Sequence, residues 1–153
     1  MIVVADTSPL NYLILIGEIE ILQALYERVL IPRAVIVELS SPQSPDQVLT
    51  WVKKPPAWLE QKAVSVQAMT SIDESLDPGE REALALAVQE AADVVLIDDR
   101  SGRKAARRLD LLVTGTIGVL RAASERGLVD FGVALRRLRR TSFHFPKEFE
   151  SYL

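Results

Sequence analysis

The sequence contains no cysteine and only one histidine among its 153 residues. Without cysteine there is no disulfide framework and no thiolate metal site, and such a composition suits a reducing compartment. His144 lies alone near the end of the chain, so we expect a surface residue and no zinc site. No apolar run approaches the about 20 residues that span a bilayer, and no basic leader precedes the first apolar run. We therefore expect a soluble, cytoplasmic protein without membrane association.

The motifs that carry protein nucleophiles are also missing. There is no G-x-S-x-G, no P-loop and no Cys–His pair. The net charge of −3 does not by itself indicate a nucleic-acid-binding protein. Basic residues are nevertheless concentrated in two stretches, 100–108 and 136–140. This uneven distribution leaves an anionic partner open, although a solvated helix face is the simpler explanation of either stretch.

Short apolar runs alternate with helical patterns along the whole chain, whose length is typical of one domain, residues 1–153. Strands are predicted over 2–5, 28–32, 94–97 and 111–115, with an edge strand over the alternating segment 63–67. Helices are predicted over 8–17, 18–27, 33–40, 46–54, 77–91, 100–109, 116–127, 131–140 and 146–153. This alternation predicts an α/β fold whose parallel sheet is covered by helices on both faces.

Acidic residues stand at the ends of two predicted strands. Asp6 directly follows the first strand, and Asp98 with Asp99 directly follows the strand at 94–97. In parallel sheets, ligands bind outside the carboxyl ends of the strands. We therefore expect these carboxylates to meet at one edge of the sheet. Roles as helix caps or turn residues remain open for all three of them.

Glu80 is predicted to point into the protein. At about 100° per residue, Leu84 and Ala87 fall within about 40° of Glu80 on the helix, whereas Glu82 falls about 200° away and should face water. Glu80 therefore lies on the apolar stripe. The alternative is a capping box, in which Asp77 caps the helix and Glu80 reaches back to it.

Converging carboxylates require a counter-charge. Two of them about 4 Å apart repel by about 4 kcal/mol at an effective dielectric of 20. Oxygen ligands favour hard ions such as Mg²⁺ or Mn²⁺. Such an ion lowers the pKa of bound water and stabilises a leaving oxygen, so the pattern indicates phosphoryl chemistry with water as the nucleophile.

The motifs together resemble a known family. They are "ADTSPL", "VIVEL", "LDPGEREALALA" and "VLIDDRSGRKAARRLDLLVTGTIGVL", in this order over nearly the whole chain. They are similar to the PIN domain, in its DUF3368 branch, which is grouped with VapC-like toxins of toxin–antitoxin pairs. The resemblance implies a three-layer α/β/α sandwich with a central, mostly parallel sheet. It also implies a Mg²⁺- or Mn²⁺-dependent endoribonuclease, a cognate antitoxin and a homodimer.

The resemblance also assigns residues. It implies a catalytic role for Asp6, Glu38, Glu80, Asp98 and Asp99, of which all but Glu38 would hold the metal. It leaves open whether Asp98 or Asp99 ligates directly, and for Glu38 it supplies most of the argument, since a lone glutamate on a short helix is usually solvated. Thr7 and Ser8 are expected to contact the substrate through a metal-bound water, as small hydroxyls of this motif often do in the family. Arg100, Arg103, Lys104 and Arg107 directly follow the acids at 98–99, so they are expected to hold RNA phosphates near the site, with a solvated helix face as the alternative.

Two other functions remain open at this point. A Mg²⁺-dependent phosphatase-like enzyme would fit the fold, but such enzymes usually carry a D-x-D arrangement on the first strand, where this chain has D-T-S. A non-catalytic RNA- or protein-binding module would also fit, although four separate acids argue against a degenerate site.

Overall fold

The structure, a computed structural model, describes residues 1–152, and the side chains of residues 1–149. Within this part of the chain, five short parallel strands form one sheet in the order β3-β2-β1-β4-β5. The strands are β1 (Val3–Ala5), β2 (Val29–Ile31), β3 (Leu59–Gln61), β4 (Val94–Leu96) and β5 (Val113–Thr114). The all-parallel sheet confirms the predicted α/β class.

Helices connect the strands and follow the last one. They are α1 (Thr7–Leu15), α2 (Ile21–Tyr26), α3 (Arg33–Leu39), α4 (Asp46–Lys53), α5 (Val66–Met69), α6 (Pro78–Gln89), α7 (Arg100–Arg108), α8 (Thr116–Glu125), α9 (Phe131–Arg139) and a 3₁₀ helix over Lys147–Tyr152. None of the helices in the described part of the chain combines the length and apolar character needed to cross a membrane.

The sheet separates two hydrophobic cores, which makes the fold a three-layer sandwich. Successive strand residues point to opposite faces, so Val3 and Ala5 of β1 join one core while Val4 joins the other. The first core packs against α1, α2, α3, α4, α8 and α9. The second packs against α6 and α7. This confirms the α/β/α architecture.

The central strands end level with each other. Ala5 of β1 pairs with Leu96 of β4, and the Asp6 amide donates to the Leu96 carbonyl at 2.9 Å. The chain therefore leaves both strands at the same edge of the sheet. This register brings the residues that follow them, Asp6 and Asp98, to the same place.

The prediction of an edge strand at 63–67 is wrong. The edge strand β3 lies earlier, at Leu59–Gln61, where it pairs with β2, and part of the predicted segment forms the short helix α5. Pairing with β2 decides the matter, because the Val29 amide donates to the Trp58 carbonyl and the Lys62 amide to the Ile31 carbonyl. An alternating pattern of apolar and polar residues does not show which segment pairs with a neighbouring strand, so it could not predict these hydrogen bonds.

Candidate active site

Asp6 is a buried carboxylate with an unused oxygen. It occupies the N-cap position of α1, yet its side chain makes no capping hydrogen bond. The residue is only 5% exposed. Within residues 1–149, its Oδ1 has no hydrogen-bond partner at all. The Asp6 side chain therefore does not act as a helix cap. A buried carboxylate oxygen without a hydrogen-bond partner lowers the stability of the fold unless a ligand binds it.

Glu80 is the second buried acid, as its helical position predicts. It lies in the first turn of α6 and is 6% exposed. Asp77 caps the helix by accepting the Glu80 amide at 2.8 Å. Glu82, expected to face water, is instead half-buried and accepts the Ala34 amide at 3.1 Å. That expectation was wrong because α3 packs over this side of α6.

Burial and neighbouring carboxylates raise the pKa values of both buried acids. Burial raises the pKa of Asp6 to about 7; the nearby Thr7 amide opposes this, and the charges of Asp77, Glu38 and Asp98 add to the rise. Burial likewise raises the pKa of Glu80, and Asp77 adds to the rise, as do Asp99 and Asp6. Carboxylates from four elements of the chain thus share one region of negative potential.

Glu38 is held by two hydrogen bonds from different elements. One Glu38 carboxylate oxygen accepts the Thr7 hydroxyl of α1, and the other accepts the Gly79 amide of α6 at 3.0 Å. A Cβ on residue 79 would overlap the Glu38 carboxylate, so glycine permits this close approach. Glu38 is therefore not a freely solvated residue, and it fastens α3 to the two helices that begin at the site.

Asp98 is held even more firmly. Its Oδ1 accepts the Thr116 amide and its Oδ2 accepts the hydroxyls of Thr116 and Ser8, each at 2.7 Å. These bonds use three of its about four acceptor positions. Asp99 differs, because it is exposed and caps α7 by accepting the amides of Ser101 at 3.0 Å and Gly102 at 3.2 Å. The two adjacent acids therefore have different surroundings.

The acidic residues offer two buried carboxylates for a divalent cation, but no group of three ligands. Among the described residues, no three histidine, cysteine or acidic side chains are arranged to hold a metal ion together. Asp6 and Glu80 remain as two buried carboxylates, one with an oxygen free of partners. Mg²⁺ commonly binds through one or two carboxylates, with water and substrate phosphate completing its octahedron. A two-carboxylate site of this kind is what the residues offer.

Comparison with known proteins identifies the fold family. A family model, DUF3368: PIN domain, matches residues 2–151. The chain belongs to this PIN domain family. No protein of curated function matches it. PIN domains are generally nucleases and typically use divalent metal ions, and the resemblance noted from the sequence motifs is thereby confirmed.

In this PIN domain, the residues predicted to bind the substrate form two groups with different surroundings. Thr7 and Ser8 are half-buried and donate their hydroxyls to Glu38 and Asp98, so they hold acids in place. The basic residues all lie on α7, and only Arg103 is half-buried. The exposed ones are Arg100, Lys104 and Arg107.

Two residues near the acids of this PIN domain were not singled out from the sequence. Asp77 raises the pKa of both Asp6 and Glu80 by its charge, so it belongs to the same cluster. The sequence predicted only a helix cap at Asp77, so its place in the acidic cluster was not predicted. Thr116 is fully buried and holds Asp98. The G-T pair at 115–116, which belongs to the family motif, was the signal that could have identified it.

Proposed function

We propose that residues 1–153 form one nuclease domain, a metal-dependent endoribonuclease that hydrolyses RNA phosphodiester bonds. The observation that carries the proposal is the buried Asp6, whose Oδ1 has no partner, in the same acidic cluster as the buried Glu80. Two buried carboxylates that repel each other lower the stability of the metal-free protein, and a Mg²⁺ or Mn²⁺ ion removes this cost.

Asp6 and Glu80 are the residues that would hold the ion. When bound, a divalent cation eases the deprotonation of water and neutralises charge on the phosphate. Asp98 and Glu38 have a different task, because hydrogen bonds already fix them. They hold the start of α1 against α8 and α6, respectively, and so keep Asp6 in position. Asp99, as the cap of α7, stabilises the basic helix beside the site.

Water is the nucleophile in this proposal, since the sequence carries no motif for a protein nucleophile. The water oxygen forms a bond to phosphorus while the bond from phosphorus to one bridging oxygen breaks. The proton of the water passes, directly or by way of solvent, to the departing oxygen. The products are a phosphate monoester and a free hydroxyl group, so atoms and charge balance without a further reactant.

The finer biological role follows the family. PIN nucleases bind RNA and often pair with antitoxins, and this supports the assignment of the chain as the toxin of a toxin–antitoxin pair. On the same ground we propose a cognate antitoxin and a homodimer as its partners.

Cleavage of mixed RNA by the purified chain tests the proposal. The reactions would contain EDTA, Mg²⁺ or Mn²⁺ and would compare the wild type with Asp6→Asn. A matched control is Asp110→Asn, which removes the same charge from an exposed residue before β5, at the opposite edge of the sheet. Cleavage should require the ion, survive in the control and disappear in Asp6→Asn.

Other outcomes would favour other functions. Tight binding of RNA with no cleavage under any ion would indicate a non-catalytic binding module. Metal-dependent release of phosphate from small esters, with RNA intact, would indicate a phosphatase-like enzyme. Cleavage that persists fully in Asp6→Asn would contradict the assignment of Asp6.

A further inference from the structure

Arg103 occupies a different place from the other basic residues of α7. Its Nη1 lies 3.3 Å from the point where a Cβ on residue 115 would stand, and Asp98 Oδ1 lies 2.6 Å from the same point. Because Gly115 has no side chain, Arg103 Nη1 and Asp98 Oδ1 can both border the space beside it. Arg103 therefore reaches the carboxyl end of β5, beside the acidic cluster.

The Arg103 guanidinium is close to acids and yet unpaired. Within residues 1–149 it takes part in no ion pair, and its side chain makes no hydrogen bond. Asp98 is held by Ser8 and Thr116 instead. The half-buried guanidinium thus keeps its planar set of five N–H donors for another anion.

The order of the strands places Asp6, Asp98 and Arg103 one after another along the edge of the sheet. Asp6 follows β1, Asp98 follows the neighbouring β4, and Gly115 follows β5 next to it. Arg103 lies at the β5 end of this series, while Glu38 comes from the helix that follows β2 on the other side. Arg103 is therefore on the same edge of the sheet as Asp6, on the side of the site towards β5.

We propose that the Arg103 guanidinium binds a non-bridging oxygen of the phosphodiester group that is cleaved, an inference that rests on the proposed nuclease function. Guanidinium donors match phosphate oxygens in pairs, with greater geometric specificity than an ammonium group. Arg103 acts in this role only as a hydrogen-bond donor and transfers no proton. Its hydrogen bonds strengthen as charge collects on the phosphate oxygens, so they lower the barrier to hydrolysis more than they strengthen binding.

The test compares Arg103→Ala, Arg103→Lys and the control Arg108→Ala. Arg108 is exposed on the same helix, and its loss changes the net charge equally. Each protein would be assayed for affinity for single-stranded RNA, for turnover at saturating RNA, and for the rise in melting temperature caused by Mn²⁺ alone. The last measurement reports on the metal site without any need for activity.

Arg103→Ala should lose about 10²-fold in turnover and about tenfold in RNA affinity, while Mn²⁺ still raises its melting temperature as in the wild type. Arg103→Lys should recover part of the affinity but little of the turnover, because it keeps the charge and loses the planar pair of donors. Arg108→Ala should behave like the wild type in all three measurements.

Two results would overturn the role of Arg103. One is wild-type affinity and turnover in Arg103→Ala, and the other is loss of the Mn²⁺ effect in both Arg103 variants. If the wild type binds RNA but never cleaves it, the proposed nuclease function is wrong. The RNA affinities of the wild type and the Arg103 variants then still test whether Arg103 contacts a phosphate. A wild type that binds no RNA would contradict both proposals.

Discussion

Replacement of Asp6 by asparagine removes a buried charge and keeps the shape of the side chain. In the metal-free protein, burial raises the Asp6 pKa from 3.8 to about 7. An acid with a raised pKa holds its proton more tightly in the folded state. The folded protein therefore loses stability as the pH rises from the unfolded pKa towards the folded one.

The size of this loss follows from the two pKa values. A difference of one pH unit between them is worth about 1.4 kcal/mol, so the ionised Asp6 lowers the free energy of unfolding by about 4 kcal/mol above about pH 7. At about pH 5 the same relation gives about 1.7 kcal/mol. Between about pH 5 and pH 8 the wild type should lose about 2 to 3 kcal/mol more than Asp6→Asn. The constant cost of burying the asparagine amide cancels in this comparison.

Urea unfolding in EDTA at the two pH values measures this difference, with Asp110→Asn as the control for a change in net charge. Added Mn²⁺ should then stabilise the wild type at the higher pH and leave Asp6→Asn nearly unchanged, because a ligand stabilises only the protein that binds it. If the wild type and Asp6→Asn lose stability in parallel, Asp6 is not a buried charge and the reasoning is refuted.

Two further predictions concern the residues that hold the acids. Thr116→Val removes the 2.7 Å hydroxyl bond to Asp98 and should lower the free energy of unfolding by about 1 to 2 kcal/mol in urea titrations; an unchanged value would show that the bond contributes nothing. Gly79→Ala places a Cβ against the Glu38 carboxylate, so the melting temperature should fall and a crystal structure should show Glu38 displaced. A variant with the wild-type melting temperature and Glu38 in place would contradict this account of the glycine.

The central strands could be predicted because their residues are apolar on both faces. Val3 and Val4 of β1 are both fully buried, against different cores, and such continuous apolar runs are typical of parallel strands. The edge strand β3 could not be predicted in the same way. Its residues Leu59–Gln61 run from buried to exposed, and their strand conformation comes from pairing with β2.

The acids of the site also differ in how far their surroundings could be predicted from the sequence. The inward direction of Glu80 follows from its angle on the helix relative to Leu84 and Ala87, and this periodicity is contained in the sequence. The different surroundings of Asp98 and Asp99 could not be predicted from the sequence. One reaches Thr116, eighteen residues away along the chain, and the other bonds to the next turn of its own helix.

Local periodicity and turn chemistry act over a few residues, so the alternation of strands and helices, the order of the acidic motifs and the inward direction of Glu80 could all be predicted from the sequence. The fold was needed to show that Asp6 is buried with an unpartnered oxygen, whereas Glu38 and Asp98 are held by hydrogen bonds. The physical reason is that burial and hydrogen bonding at this site depend on residues far apart in the chain. Asp6, Glu38, Glu80 and Asp98 meet only when the parallel strands are in register. The raised pKa values of Asp6 and Glu80 and the unpartnered oxygen of Asp6 are therefore properties of the folded sheet.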